Sequence, residues 1–294
     1  MSGVKVRSFA RERLAALSHY LSRAYIAGPE LEDAMTAFDR LTRNGQAGTI
    51  GYFNPARQPA DEIARIDRQI LAALGMIRRD AYVSIKVPPL GFDVALIEEI
   101  ARQAETVRVG IHFDSHAIET TDATFACIEA ALRHTGQIGC TLPGRWPRSL
   151  QEARRAIDLK LRVRVVKGQW ADPAHPQSDI SAGFLRVIDT LAGKVPAVAV
   201  ATHDPVLARE ALGRLRSAGT TCELELLFGL PMRAVSAVAR NMNVPVRVYI
   251  PFGAAWLPYA LTQLVNNPKI LWWLLKDAGA AASQRISTAG GRAG

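Results

Sequence analysis

The chain has 294 residues, and 36 Lys and Arg against 27 Asp and Glu leave a formal charge of +9. Apolar residues make up 49%, with 22 Gly, 16 Pro and 3 Cys, which excludes disorder, a collagen-like repeat and a disulfide scaffold. The size suits one large α/β domain or two small ones, and no apolar run approaches the roughly 20 residues that span a bilayer. Cys127, Cys140 and Cys222 are odd in number and far apart, and the opening MSGVKVRSFARERL has no apolar signal core. A reducing cytoplasm is therefore the expected compartment. The basic excess points to nucleic acid, a membrane surface or an anionic ligand.

In chain order, Val6–Tyr25 and Glu30–Thr42 read as two accessory helices. A β-branched run at Ala47–Phe53 is the first predicted strand, and Pro59-Ala60-Asp61-Glu62 opens the helix after it. Strands then recur at Tyr82–Val87, Val107–Asp114, Gln137–Leu142, Leu161–Lys167, Ala197–His203, Thr221–Leu227 and Val244–Ile250. Between them helices start at Phe92-Asp93 and Thr121-Asp122, then run over Leu150–Leu159, Asp179–Leu191, Asp204–Ser217 and Arg233–Arg240. Leu257–Lys276 reads as a last helix, and Ala280–Gly294 as a small, polar, disordered tail. This alternation predicts a (β/α)8 TIM-type barrel, a single domain over 1–279 that includes N-terminal helices in 1–44.

Side chains alternate across a strand, so residues i and i+2 share a face. Val83, Ile85 and Val87 form one face of their strand, and Tyr82, Ser84 and Lys86 the other. Arg108, Gly110, His112 and Asp114 oppose four apolar residues in the same way. Arg162 with Arg164, Glu223 with Glu225, and Arg247 with Tyr249 complete the pattern. Helices cover the outside of a barrel, so these polar sets are expected in the lumen, paired crosswise because isolated buried charges cost several kcal/mol each. Sites in this fold lie at strand C-termini, where Lys86, Asp114, Arg164, Lys167, His203, Glu225 and Tyr249 fall.

Three constellations carry chemistry. His112, Asp114 and His116, with His203, offer metal-ligand types, which makes a metal hydrolase one alternative. Arg164 to Trp170 sets two cations and Gly168 at a strand end, suited to an anionic or flavin-like ligand. Arg247 to Gly253, followed by Trp256 and Tyr259, ends a strand sharply beside aromatic residues. No basic run interleaved with aromatics stands out, so nucleic acid is not an expected partner.

The order of these segments resembles the proline dehydrogenase family, flavin-dependent (β/α)8 enzymes that oxidise proline to pyrroline-5-carboxylate. The resemblance runs through AYIAGPELED at Ala24–Asp33, Gly45–Phe53, Ser84-Ile85-Lys86, and Asp114 with Thr120-Thr121-Asp122. It continues through VRVVKG at Val163–Gly168, Ala201-Thr202-His203, ELELLFG at Glu223–Gly229 and RVYIPFG at Arg247–Gly253. It implies FAD as cofactor and hydride transfer from a carbon beside an amine nitrogen. It implies that Lys86 and Asp114 are a polar pair beside substrate and flavin, and that Tyr249 and Tyr259 line the substrate pocket. Arg164, Val166, Lys167 and Gly168 would contact the flavin, Thr202 and His203 its phosphate and ribose region, and Glu225 stands where the family has a glutamine. A small-molecule amine is then the substrate, a quinone a candidate acceptor, and membrane contact at most peripheral.

The sequence also departs from the family. Thr262 and Gln263 replace the arginine pair that clamps proline's carboxylate, a contact worth about 2–5 kcal/mol in a closed site. Leu142-Pro143-Gly144-Arg145 replaces a Leu-Gln-Ala-Tyr motif, and Gln169-Trp170-Ala171 an Ala-Tyr-Trp. These departures predict an amine other than free proline, with Arg145 or Arg148 as substitute contacts. The alternative from another class is a flavin-free barrel that acts as a binding protein.

Overall fold

The computed structural model describes residues 26–176 and 179–253. Helix α1 (Leu31–Arg43) precedes eight parallel strands that close a barrel in sequence order. These are β1 (Ala47–Tyr52), β2 (Ala81–Ile85), β3 (Gly110–Phe113), β4 (Ile138–Pro143), β5 (Arg162–Val166), β6 (Val198–Ala201), β7 (Cys222–Leu227) and β8 (Val246–Phe252). The helices between them are α2 (Ala60–Ile77), α3 (Val94–Val107), α4 (Thr121–Leu132), α5 (Ser149–Asp158), α6 (Ile180–Leu191), α7 (Pro205–Ser217) and α8 (Arg233–Asn241). Strand β8 closes on β1 with Thr49 opposite Tyr249 and Tyr52 opposite Phe252. All eight predicted strands form, and the barrel is confirmed. The predicted helices Val6–Tyr25 and Leu257–Lys276, the tail Ala280–Gly294, and Trp256, Tyr259, Thr262 and Gln263 lie outside the described residues.

Local chemistry explains the helix starts. Asp93 accepts hydrogen bonds from the amides of Ala95 and Leu96, Asp179 from Ala182, and Asp204 from Val206 and Leu207. Each N-cap satisfies amides that the first turn leaves without partners, a contribution of about 1 kcal/mol. Outward residues such as Val83, Val163, Leu224 and Ile250 are fully buried under the helices, where each contributes roughly 1.5–3 kcal/mol. Cys127, Cys140 and Cys222 are buried and unpaired.

The lumen holds the predicted polar sets. Low in the barrel, Arg247 reaches Glu223 at 2.8 Å, Asp80 at 2.7 Å and the Gly48 carbonyl at 2.8 Å. Arg162 also pairs with Glu223, and the Tyr82 ring lies between the two guanidinium groups at 4.5 and 4.7 Å. Cations over a desolvated ring add to the pairing. Arg108 is the exception. It is exposed and ends α3 in a left-handed conformation (φ 57°), because the helix runs on through Val107 and β3 begins only at Gly110. The alternating Val107-Arg108-Val109 imitates a strand where the chain is still turning out of a helix.

Candidate active site

The upper lumen is built around one carboxylate. Asp114, just past β3, accepts from Arg164 Nη1 at 2.8 Å through Oδ1. Its Oδ2 accepts from Ser84 Oγ at 2.5 Å and Tyr249 Oη at 3.2 Å, with Lys86 Nζ at 3.4 Å. Lys86 also donates to Tyr249 Oη at 3.1 Å and lies 4.4 Å over the Phe53 ring. Arg164 turns its other arm to Glu225, 2.7 Å away and 2% exposed, and its guanidinium lies 5.1 Å over the Tyr249 ring. Side chains from β5, β7, β8 and the ends of β2 and β3 thus meet in one closed cluster.

Each member is held in one protonation state. Burial pushes the Asp114 carboxyl up, but Lys86, Arg164 and Ser84 outweigh it and hold it below the usual carboxylate range. Burial disfavours the Lys86 ammonium, yet Tyr249 and Asp114 keep it more firmly protonated than a free lysine. Burial and then Asp114 raise the Tyr249 phenol, so it keeps its hydrogen. Burial and then Arg164, Arg162 and Arg247 hold His112 neutral. A guanidinium only donates, so the 3.0 Å contact from Arg162 makes His112 Nδ1 an acceptor. The ring hydrogen therefore sits on Nε2, which donates to Thr141 Oγ1 at 3.0 Å.

Gly51 makes room for this cluster. A methyl group there would lie 2.3 Å from Tyr249 Oη. Gly51→Ala is accordingly expected to displace the phenol and cost about 1–3 kcal/mol. A tyrosine ultraviolet titration should show Tyr249 ionising more easily in the variant, and an unchanged titration would contradict this packing.

Comparison with known proteins follows the same line. No family model matches the chain. Proline dehydrogenase 1 of Bacillus subtilis subsp. natto is 22% identical over 275 residues, covering 87% of this chain and 89% of the relative. The proline dehydrogenase of Deinococcus radiodurans is 24% identical over 286 residues, covering 90% and 91%. Over most of its length the chain is thus similar to proline dehydrogenases. Among solved structures, proline utilization A (PutA) from Bdellovibrio bacteriovorus superposes with a TM-score of 0.78 at 14% identity, which supports the barrel fold. That match covers 91% of this chain but 35% of PutA, so the chain spans about a third of the longer protein.

In this proline dehydrogenase-like barrel, the remaining predicted residues form a rim over β4 to β7. Val166 ends β5, and its carbonyl accepts from the Gly144 amide at 2.7 Å, while that of Lys167 accepts from Arg145 at 3.2 Å. Gly168 has φ 92°, a conformation that favours glycine. Lys167 Nζ lies 3.5 Å from Asp204, whose amide donates to Thr202 Oγ1 at 3.2 Å. His203 is a strut. Its Nε2 accepts from the Leu227 amide at 2.9 Å, so Nδ1 carries the hydrogen and donates to the Pro231 carbonyl at 3.0 Å. The two ring nitrogens tie the end of β6 to the end of β7 and to the loop after it, so the ring has none left for a cofactor phosphate.

The metal alternative does not assemble. His112 and His203 have both nitrogens engaged, and among the described residues no group of three His, Cys, Asp or Glu could hold a metal ion. Arg148 does not replace a substrate clamp, because it pairs with Asp122 at 2.8 Å and with Glu152 on α4 and α5. Arg145 donates to the Gln169 carbonyl at 2.8 Å. Among the described residues, no helix is long and apolar enough to cross a membrane. Ser84 and Thr141 were missed as site residues, although Ser84 shares the lumen face with Lys86 two residues on. Phe53 lies beyond β1 and carried no such signal.

Proposed function

We propose that the chain is an FAD-dependent oxidoreductase of proline dehydrogenase type that acts on an amine other than free proline. The Lys86–Asp114–Tyr249 cluster with Arg164 beside it carries this reading, and the named relatives support the reaction class. The residues present fit the cofactor. Arg164 Nε is buried with no hydrogen-bond partner among the described residues, which leaves a cationic donor for an electron-rich ring edge. Lys167, half exposed on the rim, suits a more distant anionic group. When bound, FAD would accept the hydride and supply the redox chemistry.

The chain's own groups select and orient the substrate. The fixed charge of Lys86 disfavours a second cation nearby, so it favours the neutral amine, the form whose lone pair assists hydride loss. Tyr249 keeps a hydrogen to donate, and Asp114 locks Lys86 and Tyr249 against each other. The substrate proposal rests on Thr262 and Gln263, which offer no charge to a carboxylate.

Purified protein is expected to be yellow and to release flavin on denaturation. An anaerobic amine panel that includes pyrrolidine and proline should bleach it, with proline the poorer reductant. Protein that neither contains flavin nor takes it up on reconstitution would favour the binding-protein reading, to which the buried Glu225 against Arg164 lends support. A quinone acceptor at a membrane surface is part of the same proposal.

A further inference from the structure

Among the described residues, every cation of the lumen is matched by a carboxylate, and Glu225 completes the match. Lys86 has Asp114 at 3.4 Å. Arg247 has Glu223 at 2.8 Å and Asp80 at 2.7 Å. Arg162 pairs with Glu223 and has Glu225 at 3.6 Å. Arg164 lies between Asp114 at 2.8 Å and Glu225 at 2.7 Å. Four cations thus face four carboxylates, of which Glu225 is the most deeply buried.

Glu225 also differs from the other three in how it makes its contacts. Asp114 accepts hydrogen bonds from Ser84, Arg164 and Tyr249, and both Glu223 and Asp80 accept from Arg247. Neither oxygen of Glu225 accepts one among the described residues, although Arg164 Nη2 comes within 2.7 Å. A buried carboxylate without hydrogen bonds is costly unless a cation compensates it, so its place here depends on its charge. Arg164 is aimed by other groups. Its Nη1 donates to Asp114 at 2.8 Å and to Thr141 Oγ1 at 3.4 Å, and His112 holds that hydroxyl in turn at 3.0 Å. Glu225 therefore alters the field of the guanidinium more than its direction.

We propose that Glu225 is a positioning residue that acts through Arg164. It cancels the guanidinium's charge, so that Arg164 offers hydrogens to donate but no surplus positive field. A flavin held against Arg164 then accepts electrons less readily than it would beside an uncompensated arginine, because negative charge added to the ring meets no spare cation. A substrate carboxylate meets none from these four residues either, which fits an amine without such a group. The charge balance follows from the fold alone, whereas its effect on flavin and amine rests on the proposed function.

Glu225→Gln keeps the shape and removes the charge, and each arginine retains another carboxylate, Asp114 for Arg164 and Glu223 for Arg162. For the full chain without flavin the probe is formate, a small carboxylate that can meet an uncompensated guanidinium. Sodium formate should raise the melting temperature of E225Q well beyond its effect on the parent, by binding the folded state. With flavin bound the probe is sulfite, whose addition to the oxidised ring leaves a negative charge there. E225Q should bind sulfite about tenfold more tightly than the parent. Its two-electron reduction potential should rise by about 30 mV, the same factor expressed as a voltage. Glu225→Asp restores the charge and should return both values towards the parent, a recovery that a merely structural role would not give. An equal formate response in parent and E225Q overturns the proposal, and so does an unchanged sulfite affinity. If E225Q does not fold, the parent still decides. Inertness to millimolar formate and sulfite supports the proposal, and stabilisation by the one or bleaching by the other overturns it. A protein that takes up no flavin removes the oxidoreductase reading, while the formate series still decides the charge balance.

Discussion

Replacing Arg164 with methionine is expected to destabilise the protein by about 3–5 kcal/mol, because it strips the counter-ion from a buried and a part-buried carboxylate at once. Glu225 is 2% exposed and has Arg164 at 2.7 Å, with Arg162 the next cation at 3.6 Å. Asp114 would keep Lys86 at 3.4 Å but lose its 2.8 Å partner. The measurement is urea unfolding, read as a lower midpoint at unchanged slope. Arg164→Met combined with Glu225→Met should recover most of the loss, since an apolar pair of similar volume is often as stable as a buried ion pair. A single variant that loses less than about 1 kcal/mol would mean that the lumen charges are not held by pairing.

Asp114→Asn is expected to remove activity by about 10²-fold or more, within the range ascribed to a positioned proton-transfer group. The amide keeps the shape but cannot accept from Arg164, Ser84, Tyr249 and Lys86 together, because one of its two ends now donates. Lys86 would lose the charge that holds it, and Tyr249 its fixed orientation. The readout is anaerobic bleaching of the flavin-loaded variant by whichever amine bleaches the parent, with flavin content and circular dichroism as controls for folding. A variant that holds flavin, folds normally and bleaches within about threefold of the parent would remove Asp114 from the centre of the site.

Much of this site was legible in the chain because strand alternation is a local property. Once eight strands were recognised, parity alone put Lys86, Asp114, Arg164, Glu225 and Tyr249 on the inner face. Arg108 shows where parity fails, since a helix C-terminus with β-branched neighbours carries the same pattern as a strand start. His203 shows a second limit. Its residue type suits a phosphate, but the end of β7 and the loop after it occupy the two ring nitrogens, and no local pattern announces those contacts.

Sequence by itself determined the strand count, the order of elements, the helix caps and the sign of each lumen charge. These depend on side-chain periodicity and on hydrogen bonds that span a few residues. Only the tertiary structure decided which charges meet. Asp114 and Arg164 are 50 residues apart in the chain, and Lys86 and Tyr249 are 163 apart. Closure of β8 on β1 brings the last pair together, and barrel geometry rather than local preference sets that contact.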